Sequence, residues 1–312
     1  MISDSPIRTQ GSNLTRDLTL NSPSGTNAKL PKLIYGTAWK KERTADLVYK
    51  ALKNGFRAID TAAHPQHYDE EGAGTGIRKA IGEGIIARED LFIQTKYTPA
   101  LKLRDMAPYD TDAPLELQVR RSVESSLRNF TIQGHVPPYI DCLILHVPLE
   151  THDDTMAVWK ALESYVPSSV RHLGISNVTL DGLRVLMMSA NIKPAVVQNP
   201  WCRQTGYATE LREFCMEQGI IFQAFWTLTA NSSLMLHEHV LRLANSAQVS
   251  KPAAVYSLIL GFGNISILDG TTSETHMKED LAGIDNLGAY ADGSGRAVWL
   301  EAQEHFKRAL CY

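Results

Sequence analysis

The alternation of strand-like and helix-like segments in this chain predicts a single-domain α/β fold, a (β/α)₈ barrel. Three observations carry that expectation. Counted from Phe56, seven short apolar segments each lead into an amphipathic segment of helical length, and Leu33–Gly36 supplies an eighth strand. Such alternation implies right-handed βαβ units and a parallel sheet, and eight units suit a closed barrel better than an open sheet of five or six strands. Polar residues also recur where strands finish, at Asp60, Lys96, His146, Ser176-Asn177 and Gln198-Asn199, and a barrel keeps its chemistry at the C-terminal ends of its strands.

Residues 1–28 are rich in Ser, Thr, Asn and Asp and show no sustained period, so they are expected to form a poorly ordered, surface-draped arm. Residues 29–312 are expected to form the barrel, since no Gly-, Ser- or Pro-rich linker divides them. Leu33–Gly36 gives the first strand. Leu47, Val48, Ala51 and Leu52 then mark a helix that Asn54-Gly55 ends. Strand 56–60 leads to a helix over 70–82, strand 91–96, a long loop over 97–114 and a strong helix over 115–130. Strand 139–146, helix 154–165, strand 170–174, helix 180–189, strand 195–198 and helix 208–218 follow. The last units are strand 220–225, a polar loop over 227–233, helices 237–247 and 252–260, and strand 265–268. Helical patterning then runs over 273–281 and 296–310.

A length of 312 residues allows a substantial core, and 44% hydrophobic with 21% charged residues is ordinary for a globular protein. A net charge of −3 gives no reason to expect nucleic acid or an anionic membrane as partner. The apolar runs are too short to span a bilayer, Met1 does not begin a secretory pattern, and four cysteines without CxxC pairing suit a reducing compartment. A cytoplasmic protein is therefore expected.

Taken singly, Asp60 reads as a loop cap, Lys96 as an exposed base and His146 as a satisfied core histidine. Together at one barrel mouth they suit carbonyl reduction. A phenol such as Tyr68 is a poor acid near neutrality, and a neighbouring ammonium such as Lys96 should lower its pKa and ease proton donation to a developing alkoxide. Asp60 would pair with Lys96, and His146 would orient the substrate oxygen. None of these supplies a hydride, so a nicotinamide cofactor is required. Gly72-Ala73-Gly74-Thr75-Gly76 lacks the context of a phosphate loop, and close helix packing against the barrel explains its small residues better. The pairs His64/His67 and His237/His239 lack further partners at a metal-binding spacing.

The ordered set Gly36-Thr37-Ala38-Trp39, Gly55–Ala62, Thr95-Lys96, Ile140–His146, Gly174–Asn177 and Val196–Asn199 resembles the aldo-keto reductases, and the likeness runs from about Leu30 to the last helix. The resemblance implies a (β/α)₈ barrel that binds NADPH, with a catalytic tetrad that falls on Asp60, Tyr68, Lys96 and His146. It also implies cofactor contacts at Gly36, Thr37, Ala38 and Asp60. Ser176, Asn177 and Gln198 would hold the carboxamide, Phe225 or Trp226 would stack on the nicotinamide, and Thr227 and Leu228 would meet the pyrophosphate. Gly270, Thr271, His276, Glu279 and Asp280 fall at the adenosine end.

Two departures stand out. The family's tyrosine usually lies about five residues after the aspartate, where this chain has Pro65; Tyr68 comes three residues later, as in a subgroup found mainly in filamentous fungi. The rival proton donors are His64 and His67. The family's lysine and arginine for the 2′-phosphate are replaced by Gly270 and His276, which weakens the preference for NADPH and leaves NADH open. The substrate is expected to be a small carbonyl compound, with Trp39, Tyr68, Tyr97, His146 and Trp201 as pocket residues, and the chain to be a monomer. The competing functions are a redox-neutral dehydratase or isomerase on the same barrel, and a non-catalytic nicotinamide-binding regulatory subunit.

Overall fold

The computed structural model describes residues 11–20, 27–103, 106–134 and 137–310. Of the expected arm, residues 1–10 and 21–26 lie outside the described residues. The part that is described carries structure that the sequence reading missed. A 3₁₀ turn spans Gly11–Leu14, and β1 (Leu18–Leu20) pairs with β2 (Ala28–Leu30) in a two-stranded sheet. Leu14, Leu20 and Leu30 are buried. Three-residue strands with one or two apolar residues apiece are too short to show a period.

Eight further strands close a barrel in the order β10-β3-β4-β5-β6-β7-β8-β9. They are β3 (Leu33–Gly36), β4 (Ala58–Asp60), β5 (Phe92–Tyr97), β6 (Ile140–Leu145), β7 (Val170–Ser176), β8 (Val196–Pro200), β9 (Ile221–Phe225) and β10 (Ile265–Asp269). Helices follow the strands in turn: α1 (Thr44–Lys53), α2 (Glu70–Gly82), α3 (Leu115–Asn129), α4 (His152–Glu163), α5 (Leu180–Ser189), α6 (Thr209–Glu217), α7 (Glu238–Ala247), α8 (Lys251–Leu260), α9 (Glu274–Asp292) and α10 (Arg296–Leu310). The fold is the (β/α)₈ barrel that the alternation predicts. No helix among the described residues is long and apolar enough to cross a membrane.

The chain divides into two compact units, residues 34–198 with 19–30, and residues 199–312 with 31–33 and the stretch ending at Leu18. In the first unit β4, β5 and β6 are buried along their whole length, as parallel strands enclosed on both faces must be. Parallel register sets Asp60 opposite Gln94 and Lys96 opposite Ile144. Gln94 and Lys96 are two apart on β5, so their side chains share one face of the sheet with Asp60. Near the start of β6, buried Asp141 accepts from Arg88 at 2.8 Å and from the amide of Ile93 at 3.0 Å. The guanidinium groups of Arg88 and Arg171 both lie against the Tyr139 ring, at 3.7 and 3.8 Å.

In the second unit β9 and β10 pair in parallel, and α8 is buried at eight of its ten positions. An all-round apolar helix of this kind is one enclosed by its neighbours. α7, α9 and α10 pack on it, with Trp299 and Phe306 of α10 fully enclosed.

Candidate active site

Asp60 ends β4 and is almost fully buried. Its carboxylate accepts Nζ of Lys96 at 2.8 Å on Oδ1 and 2.7 Å on Oδ2, Nε2 of Gln94 at 2.6 Å, and Nε2 of Gln198 at 2.9 Å. Lys96 also donates to the carbonyl of Thr61 at 2.8 Å. Burial alone would push the Lys96 ammonium down, but the Asp60 carboxylate, with help from Tyr68, outweighs it and holds the pKa above the ordinary lysine value. The lysine is therefore a fixed, charged group inside a dry site.

Tyr68 returns to this pair through a compact turn. The amides of His67 and Tyr68 both donate to the carbonyl of His64, at 3.0 and 2.9 Å, while Pro65 and Gln66 stand exposed at the tip. Pro65 and Gln66 thus bulge outward. Asp69 then caps α2 through a bond from the Gly72 amide at 2.8 Å, which fixes Tyr68 one residue before the cap. Nζ of Lys96 lies 4.9 Å from the centroid of the Tyr68 ring. Burial raises the Tyr68 pKa, Lys96 pulls it back and Asp60 adds to the rise; the net direction is upward. The sequence expectation of a lowered value is corrected here, because burial outweighs the ammonium.

His146, one residue past β6, completes the cluster. Its ring meets that of Tyr68 edge-on, with centroids 6.1 Å apart, and its Nδ1 is 2.8 Å from the hydroxyl of buried Thr98. Burial, then the Lys96 charge and the neighbouring His64 and His67, push its pKa well below the ordinary histidine value. The imidazole is neutral at pH 7, and with Thr98 on Nδ1 it can present Nε2 to a ligand. The first unit thus brings Asp60, Tyr68, Lys96 and His146 together.

Sequence reasoning gave no place to Gln94 and Thr98. Gln94 shares the Asp60 face of β5 by its even spacing from Lys96, which a strand-period reading could have found; Thr98 lies beyond the strand and left no such trace. His64 and His67 form a stacked pair, with centroids 4.1 Å apart, and Trp39 lies 4.1 Å from His67. His64 is buried with no hydrogen-bond partner for Nδ1, and burial lowers its pKa.

Gly36 ends β3 and Thr37 and Ala38 follow it, with Thr37 donating from Oγ1 to the Asp60 carbonyl at 3.0 Å. At the ends of β7 and β8, Ser176 donates to the carbonyl of Gln198 at 2.7 Å, and exposed Asn177 donates to the carbonyl of His146 at 2.9 Å. Asn177 has φ 55°, a left-handed conformation that asparagine tolerates. In the second unit, Phe225 is half-buried and Trp226 is 58% exposed, the two rings perpendicular at 5.2 Å. Thr227 is buried and Leu228 half-buried. Gly270 and His276 are exposed, and the Ser273 hydroxyl caps α9 by accepting the His276 amide.

Three expected contacts are placed differently. Asp280 is turned inward, and burial together with neighbouring Asp269 pushes its carboxyl up to about 8, so it is a buried acid beside Asp269 while adjacent Glu279 is exposed. Tyr97 is 1% exposed, enclosed by Tyr109 and Gln118. Trp201 is fully enclosed between Tyr207 and Phe306. Neither aromatic offers a free face as a pocket wall; Trp39, 61% exposed, does.

Comparison with known proteins points to one family. A family model described as Aldo/keto reductase family matches residues 32–273. An uncharacterised oxidoreductase, YtbE, from Bacillus subtilis (strain 168) is 31% identical over 76% of this chain and 77% of its own. The glyoxal reductase of the same organism is 32% identical over 70% of each chain. Among solved structures, an aldo-keto reductase of Bombyx mori in complex with NADP superposes with a TM-score of 0.69 at 20% identity, covering 88% of this chain and 93% of that one.

Proposed function

The chain belongs to the aldo/keto reductase family, and from that premise we propose that it reduces an aldehyde or ketone to an alcohol with NADPH, Tyr68 giving the proton. The observation that carries this reading is the cluster in the first unit: a buried Asp60–Lys96 pair, a tyrosine returned to it by the His64–Tyr68 turn, and a neutral histidine beside that tyrosine.

The donor chemistry fits a nicotinamide cofactor. Asn177 and Ser176 offer an exposed amide and a hydroxyl suited to a carboxamide, and Trp226 offers a flat apolar face. At Gly270, Thr271 and His276 there are hydroxyl and imidazole groups but no guanidinium or ammonium, a set that suits a ribose hydroxyl as well as a phosphate. NADH is therefore accepted alongside NADPH in this reading. The bound cofactor supplies the hydride.

The protein's own groups do the rest. The neutral His146 imidazole donates from Nε2 to the substrate oxygen and orients the carbonyl. Tyr68, held protonated by its raised pKa, donates as negative charge develops on that oxygen. Lys96, kept charged by Asp60, stabilises the phenolate left behind. His64 and His67 are poor donors because both are pushed down and carry no charge at neutral pH.

Following the loss of reduced-nicotinamide absorbance with an aromatic aldehyde tests the assignment. Tyr68→Phe should lower kcat by about 10² to 10⁴, the usual contribution of a general acid, with the cofactor dissociation constant unchanged; a variant that keeps its kcat overturns it. Preference is a second measurement. The kcat/KM ratio for NADPH over NADH should be below about tenfold, and Gly270→Lys with His276→Arg should raise it by tenfold or more, as paired phosphate contacts of this type do.

A further inference from the structure

Apart from the catalytic cluster, the second unit carries a set of metal-type donors that no part of the reduction uses. His239 lies in the first turn of α7, while Glu301 and His305 are one turn apart on α10. One ligand atom from each lies within 4.8 Å of the other two, and all three residues are partly exposed. A spacing of i, i+4 puts Glu301 and His305 on the same helical face, and the packing of α7 on α10 brings His239 to that face. Two imidazoles and a carboxylate are the donor set that zinc takes at sites with a fourth, solvent-filled position.

The surrounding groups fit this use. Nη1 of Arg242 donates to Oε1 of Glu301 at 2.8 Å, which orients the carboxylate and leaves its other oxygen to bind. Oε1 of Glu238 lies 3.3 Å from Nε2 of His239, adding negative charge beside the donors. His237, whose ring centroid is 5.6 Å from that of His239, has a buried Nδ1 without a hydrogen-bond partner. The rings of His239 and His305 are stacked at 3.7 Å with 9° between planes. Lone pairs lie in the ring plane, so two parallel imidazoles cannot both point at one ion, and binding requires one ring to turn.

From these residues we infer that His239, Glu301 and His305 form a site for a divalent transition metal of the zinc type, which clamps α10 to α7. Both histidines bind a metal only through unprotonated nitrogens, so protons compete with the metal for the site.

Titration calorimetry of the full chain with ZnCl₂ at pH 7.5, after treatment with EDTA, tests the inference. One equivalent should bind, and the melting temperature should rise with zinc. His239→Ala and His305→Ala should each weaken binding at least tenfold, and Glu301→Gln severalfold, with melting curves in EDTA showing that each variant is folded. His64→Ala, which removes a histidine of the other cluster, should leave affinity unchanged. With Co²⁺ in place of zinc no thiolate charge-transfer band should appear; such a band would put the metal on a cysteine and overturn the site. Failure of the wild type to bind one equivalent, binding that survives both histidine substitutions, or binding lost in His64→Ala overturns the site.

Discussion

At the residue scale the site rests on a buried charge pair. Asp60 and Lys96 are each about 1% exposed, and each is surrounded by partners of the other kind: two glutamine amides on the acid, the acid and a carbonyl on the base. Removing one member of such a pair leaves the other without compensation in a dry site, at a cost of about 3–5 kcal/mol. Lys96→Met should therefore lose stability of this size in urea unfolding, together with activity. Asp60→Asn with Lys96→Met should recover much of the stability but none of the activity. Lys96 and His146 were legible in the sequence because they stand at strand ends. Tyr68 was legible only through the family pattern, since a turn with no periodicity delivers it; the bonds to the His64 carbonyl that fold the turn inward leave no mark in composition.

At the element scale, glycines set how closely the helices approach. A Cβ on Gly74 would stand 2.1 Å from the backbone oxygen of Asn129 at the end of α3, and one on Gly76 would stand 2.5 Å from the carbonyl of Ala45 in α1. Backbone cannot swing aside as a side chain can, so α2 sits between its neighbours only without those methyl groups. The small residues of 72–76 were expected to let the helix pack against the barrel; the close approaches at Gly74 and Gly76 are instead to the neighbouring helices α3 and α1. Gly74→Ala should cost about 1–3 kcal/mol, the range for overpacking, read as a lower melting temperature with the Asp60–Lys96 pair intact. Glycine also accounts for the one long helix that periodicity cut short. The sequence reading ended helical pattern at Leu281, but α9 continues to Asp292, burying Ile284, Leu287 and Ala291. Gly283 and Gly288 weaken the helical signal. Tertiary packing overrides that propensity, since a Cβ on Gly283 would come within 2.5 Å of the Ala253 methyl of α8. Where apolar spacing is regular and the caps are standard, as in 70–82 and 180–189, the expected and observed helices coincide.

For the whole molecule, the displaced titrating groups of both units set how stability depends on pH. His64, His146 and His172 are all held below the ordinary histidine value, chiefly by burial. The unfolded chain therefore takes up protons below about pH 6.5 that the native state refuses, and stability falls as pH drops through that value. The buried acids act in the opposite sense. Asp280 is raised to about 8, so between its ordinary value and pH 8 the native state holds a proton that the unfolded chain has released. Its stabilisation is full below the unfolded pKa and is lost as pH rises toward 8. On the acid side four lowered histidines, His67 included, outnumber the raised acids Asp280, Glu70 and Asp285, which makes the net acid limb shallow. Above about pH 7 the unfolded histidines have lost most of their protons, and the Asp280 proton governs the slope until Lys32, lowered to about 8 by burial, begins to lose its own. One proton over that single pH unit amounts to on the order of 1 kcal/mol. Maximum stability should fall near pH 7, with a loss toward pH 8 in urea unfolding. Asp280→Asn offers an amide N–H to Asp269 at every pH and should flatten the alkaline limb while leaving the acid limb in place. A limb that persists in that variant would assign the proton elsewhere.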